Sequence, residues 1–87
     1  METGETREIR IRLFASLREL TGESQLSWAI SEGETVSQLF DRLVVRYPRI
    51  SPLKNSIRYA VNESYVDPDQ SLHPGDEIAF IPPVAGG

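Results

Sequence analysis

Between Glu8 and Phe14 the chain alternates, with Ile9, Ile11 and Leu13 on one side and Glu8, Arg10 and Arg12 on the other. A period of two is the pattern of a strand with one face buried and the other in water. Phe14 falls by parity on the charged side, where an aromatic ring either packs under the next turn or serves an interaction. Ala15 to Leu20 reads as a short helical turn that Thr21-Gly22 stops. Gln25 to Ser31 alternates again, with Leu26, Trp28 and Ile30 on one side. This predicts a second strand, paired antiparallel with the first across the short helix.

Glu32-Gly33-Glu34 is a turn, and Thr35 followed by Gln38 has the form of a capping box. From there Val36, Leu39, Phe40, Leu43, Val44 and Tyr47 recur at the spacing of a helix that lies on a core. Pro48 cannot extend that helix and biases Tyr47 away from the helical region, so the helix spans about residues 36 to 47. Arg49 to Ser56, with a second proline, reads as a loop. Ile57 to Asn62 alternates with Ile57, Tyr59 and Val61 inward, and Asn62-Glu63 predicts a tight hairpin into Ser64-Tyr65-Val66. Asp67-Pro68-Asp69 and His73-Pro74-Gly75-Asp76 are turns, with Leu72 as a core anchor between them. In Glu77 to Ile81, Ile78 and Phe80 face the core, while Ala79 and Ile81 face outward.

The order strand, strand, helix, strand, short strand, strand predicts an α+β domain: a mixed sheet of about five strands with one main helix across one face. That is the layout of a β-grasp fold. Residues 1–6 carry no periodicity and read as a disordered N-terminal tail, 7–81 as the domain, and 82–87 as an extended arm.

Eighty-seven residues suffice for one domain but not for a deep catalytic cleft, so a module that works with partners is expected. The 39% hydrophobic and 25% charged content is that of a folded globular chain. There is no cysteine and only one histidine, His73, so no thiolate or imidazole cluster is available and no metal is expected. No apolar run is long enough for a signal peptide or membrane span, so a cytoplasmic location is expected. A net charge of −4 argues against nucleic acid, and the same balance suggests a partner with a basic surface. Glu32 with Glu34, and Asp67 with Asp69, are carboxylate pairs on paper, but they lie in turns and read as solvated. His73 reads as a loop residue.

The chemistry points to the far end. Pro82 and Pro83 lack backbone N–H groups, so they end the ladder and hold the chain extended. An arm of six residues from Pro82 reaches at most about 20 Å, enough to enter another protein's active site. Gly86 and Gly87 give it no Cβ atoms and leave the Gly87 carboxylate unhindered. An acyl group that is activated and then attacked benefits from such access.

The run Gly75-Asp76-Glu77-Ile78-Ala79-Phe80-Ile81-Pro82-Pro83-Val84-Ala85-Gly86-Gly87 resembles the terminal signature of the molybdopterin synthase small subunit family. Leu13-Phe14-Ala15 with Arg18-Glu19-Leu20-Thr21-Gly22 is similar to that family's first strand and short helix. The resemblance implies a sulfur carrier. An ATP-dependent, E1-like activating enzyme adenylates Gly87, sulfur replaces the adenylate to give a thiocarboxylate, and the arm (Pro82, Pro83, Val84, Ala85, Gly86) inserts into the large synthase subunit. There sulfur passes to a cyclic pyranopterin precursor of the molybdenum cofactor. No cofactor is expected on this chain itself, because ATP belongs to the activating enzyme.

Parity supplies the docking surface. Phe14, Ile81 and Tyr65 should form an exposed apolar patch near the root of the arm if the first and last strands lie side by side. Three alternatives share the fold: a carrier for thiamine thiazole synthesis, a ubiquitin-like protein modifier, and a plain interaction module with an inert tail.

Overall fold

The computed structural model describes residues 7–83; the 1–6 tail lies outside them. The elements are β1 (Glu8–Leu13), α1 (Ala15–Thr21), β2 (Gln25–Ala29), α2 (Val36–Arg46), a 3₁₀ helix (Pro48–Leu53), β3 (Arg58–Val61), β4 (Ser64–Val66) and β5 (Glu77–Ile81). The five strands form one sheet in the order β2-β1-β5-β3-β4. β1 and β5 run parallel, and the other pairs are antiparallel. The alternating residues of β1, β5 and β3 therefore present one apolar face, made of Ile9, Ile11, Leu13, Ile78, Phe80 and Tyr59, and α2 covers it with Val36, Leu39, Phe40 and Leu43. This is the ubiquitin-like β-grasp arrangement expected from the order of elements.

Local chemistry sets the ends of α2. The Gln38 N–H donates to Thr35 Oγ1 at 3.2 Å, and the Thr35 N–H donates to Gln38 Oε1 at 3.0 Å, closing the capping box. Tyr47, before Pro48, leaves the helix at φ −131°, ψ 79°. Gly22 stops α1 in the left-handed region at φ 78°, where a side chain would be strained.

Three boundaries depart from expectation. β2 ends at Ala29 rather than Ser31, because the chain turns there: the Ser31 N–H donates to the Glu34 carboxylate at 2.9 Å and the Ser31 carbonyl accepts from the Glu34 N–H at 3.0 Å. The expected 49–56 loop begins as the 3₁₀ helix, since Pro48 presets its first φ and Ile50 is fully buried beneath it. β3 is shorter than the expected 57–62 because Asn62 and Glu63 form the hairpin turn with positive φ, 51° and 73°. The Asn62 side chain ties that turn to β5, accepting from the Glu77 N–H and donating to Asp76 Oδ1, both at 3.0 Å.

Candidate functional site

The sheet face away from α2 is open, and register decides which side chains meet there. Phe14 ends β1: its carbonyl accepts from the Leu17 N–H at 3.0 Å to start α1, while its ring stays on the open face, 38% exposed. The β1–β5 register pairs Leu13 with Phe80, so Phe14 comes next to Ile81 one step on. Ile81 faces Arg58 across β3, and Ala79 faces Ala60, which faces Tyr65 on β4. Ile81 and Tyr65 line a shared concavity of about 420 Å³ with Ser56, Arg58, Pro82 and Pro83. The three residues assigned to the patch thus lie on one face, with the two alanines making a low floor between them.

Two arginines frame this patch; the sequence reading placed Arg12 on the strand face of Phe14 without assigning it to the patch, and did not single out Arg58. The Arg12 guanidinium lies 5.5 Å from the Phe14 ring centroid, and that of Arg58 lies 5.8 Å from Tyr65, which is 67% exposed. Stacked cations hold both rings over the sheet and keep them hydrated on one side only. Arg12 was discoverable, since it precedes Phe14 by two residues on the same strand face. Arg58 and Ala60 were not, because their place beside β5 depends on a long-range pairing.

Charge is distributed differently from what the net value suggested. The open face carries Arg10, Arg12 and Arg58 against Glu8 and Glu77, with Arg12 3.6 Å from Glu77. The strand residues of this face therefore carry three arginines against two glutamates, and the acidic balance of the chain lies largely elsewhere on the surface. The net value averages over surfaces that no single partner sees.

Pro82 is buried and Pro83 exposed, so the first proline packs on the domain and the second points the chain off it. Val84, Ala85, Gly86 and Gly87 lie outside the described residues.

Of the turn carboxylates, Asp67 and Asp69 are exposed as expected. Glu34 is not: it is only 6% exposed, and Arg42 Nη1 donates to both of its oxygens at 3.0 and 3.1 Å. Its partner comes from the second turn of α2, eight residues along the chain and beyond the reach of a local reading. Burial with a fixed cation and an accepted backbone N–H makes it a structural tie rather than a proton carrier. His73 is exposed, 4.0 Å from Asp76. Among the described residues no group of three His, Cys, Asp or Glu could hold a metal, and no helix is long and apolar enough to cross a membrane. The arrangement of the described residues suits binding by an apolar, arginine-framed surface.

Residues 11–87 match the ThiS family. The chain is 36% identical over 80 residues to a molybdopterin synthase sulfur carrier subunit of Arabidopsis thaliana, covering 92% of this chain and 83% of that protein. It superposes on the small archaeal modifier protein 1 (SAMP1) of Methanosarcina acetivorans with a TM-score of 0.75 at 28% identity, covering 97% of this chain and all of that one. It also shares its fold with a chain of the complex of subunits 1 and 2 of the molybdopterin-converting factor from Helicobacter pylori, at a TM-score of 0.63 and 21% identity over 92% of this chain and 99% of that one.

Proposed function

The chain belongs to the ThiS family, and on that footing we propose that it is the sulfur carrier subunit of a molybdopterin synthase. What supports the reading is the site of the arm: it leaves β5 at Pro82-Pro83, directly beside an exposed apolar patch framed by Arg12 and Arg58. A patch that binds a partner at the base of an arm delivers the end of that arm to a fixed depth in the same partner.

The chemistry follows from the poor reactivity of a carboxylate. A Gly87 oxygen attacks the α-phosphorus of ATP on the activating enzyme, and pyrophosphate leaves. The acyl adenylate is then attacked at carbon by a persulfide donor and AMP departs; a thiol then cleaves the S–S bond of the resulting acyl disulfide, leaving a thiocarboxylate on Gly87 and a disulfide on the donor side. In the large subunit that sulfur passes to the pyranopterin precursor, and hydrolysis restores the carboxylate. This chain supplies the acyl group and the address; the partners supply ATP, sulfur and precursor.

Intact-mass measurement of the protein from its native cell tests the carrier role. The expected result is a fraction in which sulfur replaces one C-terminal oxygen. A preparation in which no such species appears, even after incubation with activating enzyme, ATP and a sulfur donor, would reject it.

The docking face has its own test. Phe14→Glu and Ile81→Glu each place a charge in the patch without touching the core, so both should keep the thermal stability of the parent. Binding to the purified large subunit should weaken by at least about 2 kcal/mol, roughly thirtyfold. Unchanged affinity of both in calorimetric titration would move the interface elsewhere.

A second reading, a protein modifier, draws on the similarity to SAMP1. It uses the same activated carboxylate with a lysine amine as acceptor, and its mark would be a protein adduct rather than a sulfur atom. Lys54, the single lysine, is engaged with Asp41, which leaves little scope for chains built on this domain.

A further inference from the structure

A groove of about 680 Å³ lies between the edge strand β2 and the solvent side of α2, and neither Pro82 nor Pro83 lines it. It is lined by Ser27, Trp28, Ala29, Arg42, Val45 and Arg46. We propose that it is a second docking site, which takes an extended, acidic segment of a partner protein as an added strand on β2.

The backbone argument comes first. Within the β1–β2 ladder the Ile30 N–H donates to the Arg7 carbonyl and the Leu13 N–H to the Ser24 carbonyl. With the observed register, this phase commits the even-numbered residues of β2 to β1, and the backbone groups of Gln25, Ser27 and Ala29 point off the sheet. Such an edge is a template for another strand unless it is covered. Only one of these groups is taken by a side chain among the described residues: Arg42 Nη1 donates to the Ala29 carbonyl at 3.0 Å.

The side chains then define the occupant. Val45 is 81% exposed on the side of α2 away from its buried residues, and Trp28 lies half-buried across the groove from it. Arg42 stacks on the Trp28 ring at 5.3 Å and is fixed by Glu34, all through Nη1, so that Nη2 and Nε have no partner among the described residues. Arg46 adds a second cation, and none of the six lining residues is acidic. Alternate residues of an added strand would point toward α2. An apolar side chain at one such position meets Trp28 and Val45, and a carboxylate two residues away meets Arg42 and Arg46. The groove adjoins the Ala29 end of β2, whereas Gln25 at the other end is in register with Arg12 near the arm. A partner can therefore hold the carrier here while its arm is engaged elsewhere.

The test is an NMR titration of the full chain with a capped synthetic peptide of about seven residues, serine-rich, with valine and aspartate two positions apart. Its counterpart carries lysine for aspartate. The expected result is that the acidic peptide shifts the amides of Gln25, Ser27 and Ala29 and the Trp28 indole, and leaves Phe14 and Tyr65 in place. Arg46→Glu, on the exposed helix surface, should weaken binding at least about tenfold. Ser27→Pro should abolish it, since it removes an outward N–H that the sheet does not use; unchanged core methyl signals would show that this variant is folded. The proposal is overturned by silence at Ser27 and Ala29 at about 1 mM peptide, by equal binding of the lysine peptide, by shifts centred on Phe14, or by peptide-free self-association through β2.

Discussion

A variant with one extra residue after Gly87 is expected to lose sulfur transfer completely while folding as the parent does. The added residue converts the reactive carboxylate into an amide, which no adenylating enzyme can activate, and moves the new carboxylate by about 3.3 Å along the arm. Removing Gly87 shifts the carboxylate by the same amount in the other direction. A misplacement of about 1 Å at a reacting centre costs roughly a hundredfold, so either change reaches well past the working geometry. Among the described residues the apolar core runs from Ile9 to Phe80, and thermal unfolding should not respond to a change at residue 87. A reconstituted assay with activating enzyme and large subunit is the check, and full activity in a stably folded, extended variant would sink the carrier reading.

The second large effect is on the fold. Phe40 and Leu43 are completely buried on α2, and the Phe40 ring meets Phe80 of β5 edge to face at 5.1 Å. Phe80 in turn meets Tyr59 of β3 at 5.7 Å, so one line of rings joins the helix to two strands. Phe40→Ala removes the first ring and leaves a cavity that neighbours on rigid strands cannot close. It should cost about 3 to 5 kcal/mol, and Leu43→Ala about 2 to 5. Against a typical total of about 5 to 15 kcal/mol, either takes a large share of the stability. Denaturant titration measures both, and a loss below about 1 kcal/mol in each would place the wrong face of α2 in the core.

The sequence was most legible where information was local. Periodicity identified β1, α2 and the inward residues of β5, and the Thr35/Gln38 pair marked the start of α2, because each depends on side chains a few positions apart. Legibility failed where a distant partner decides. Glu34 looks like a solvated turn residue until Arg42 is brought over it. The 49–56 segment looks like a loop because a single buried side chain, Ile50, anchors it. The patch was half visible: parity assigned Phe14 and Ile81 to the outside, and Tyr65 joined them from its place just past the hairpin turn. Only the pairing of β5 with both β1 and β3 puts them together and adds Arg58 and Ala60 between them. The reading of 82–87 as an extended arm with a reactive Gly87 carboxylate falls mostly on residues outside the described ones.

The position of β5 also bears on how the domain forms. It is the last strand in chain order yet sits at the middle of the sheet, parallel to the first strand and antiparallel to the third. The β1–β2 hairpin, α2 and the β3–β4 hairpin can each form from nearby residues, but they remain two separate edges until β5 slots between them. Joining the ends of a domain requires closing a long loop before any contact offsets its entropy, which makes that step the slow one. The arm therefore follows, in the chain, directly on the strand that completes folding. A chain caught before that step has no assembled patch beside the arm, so premature capture of an unfinished carrier is disfavoured by topology alone.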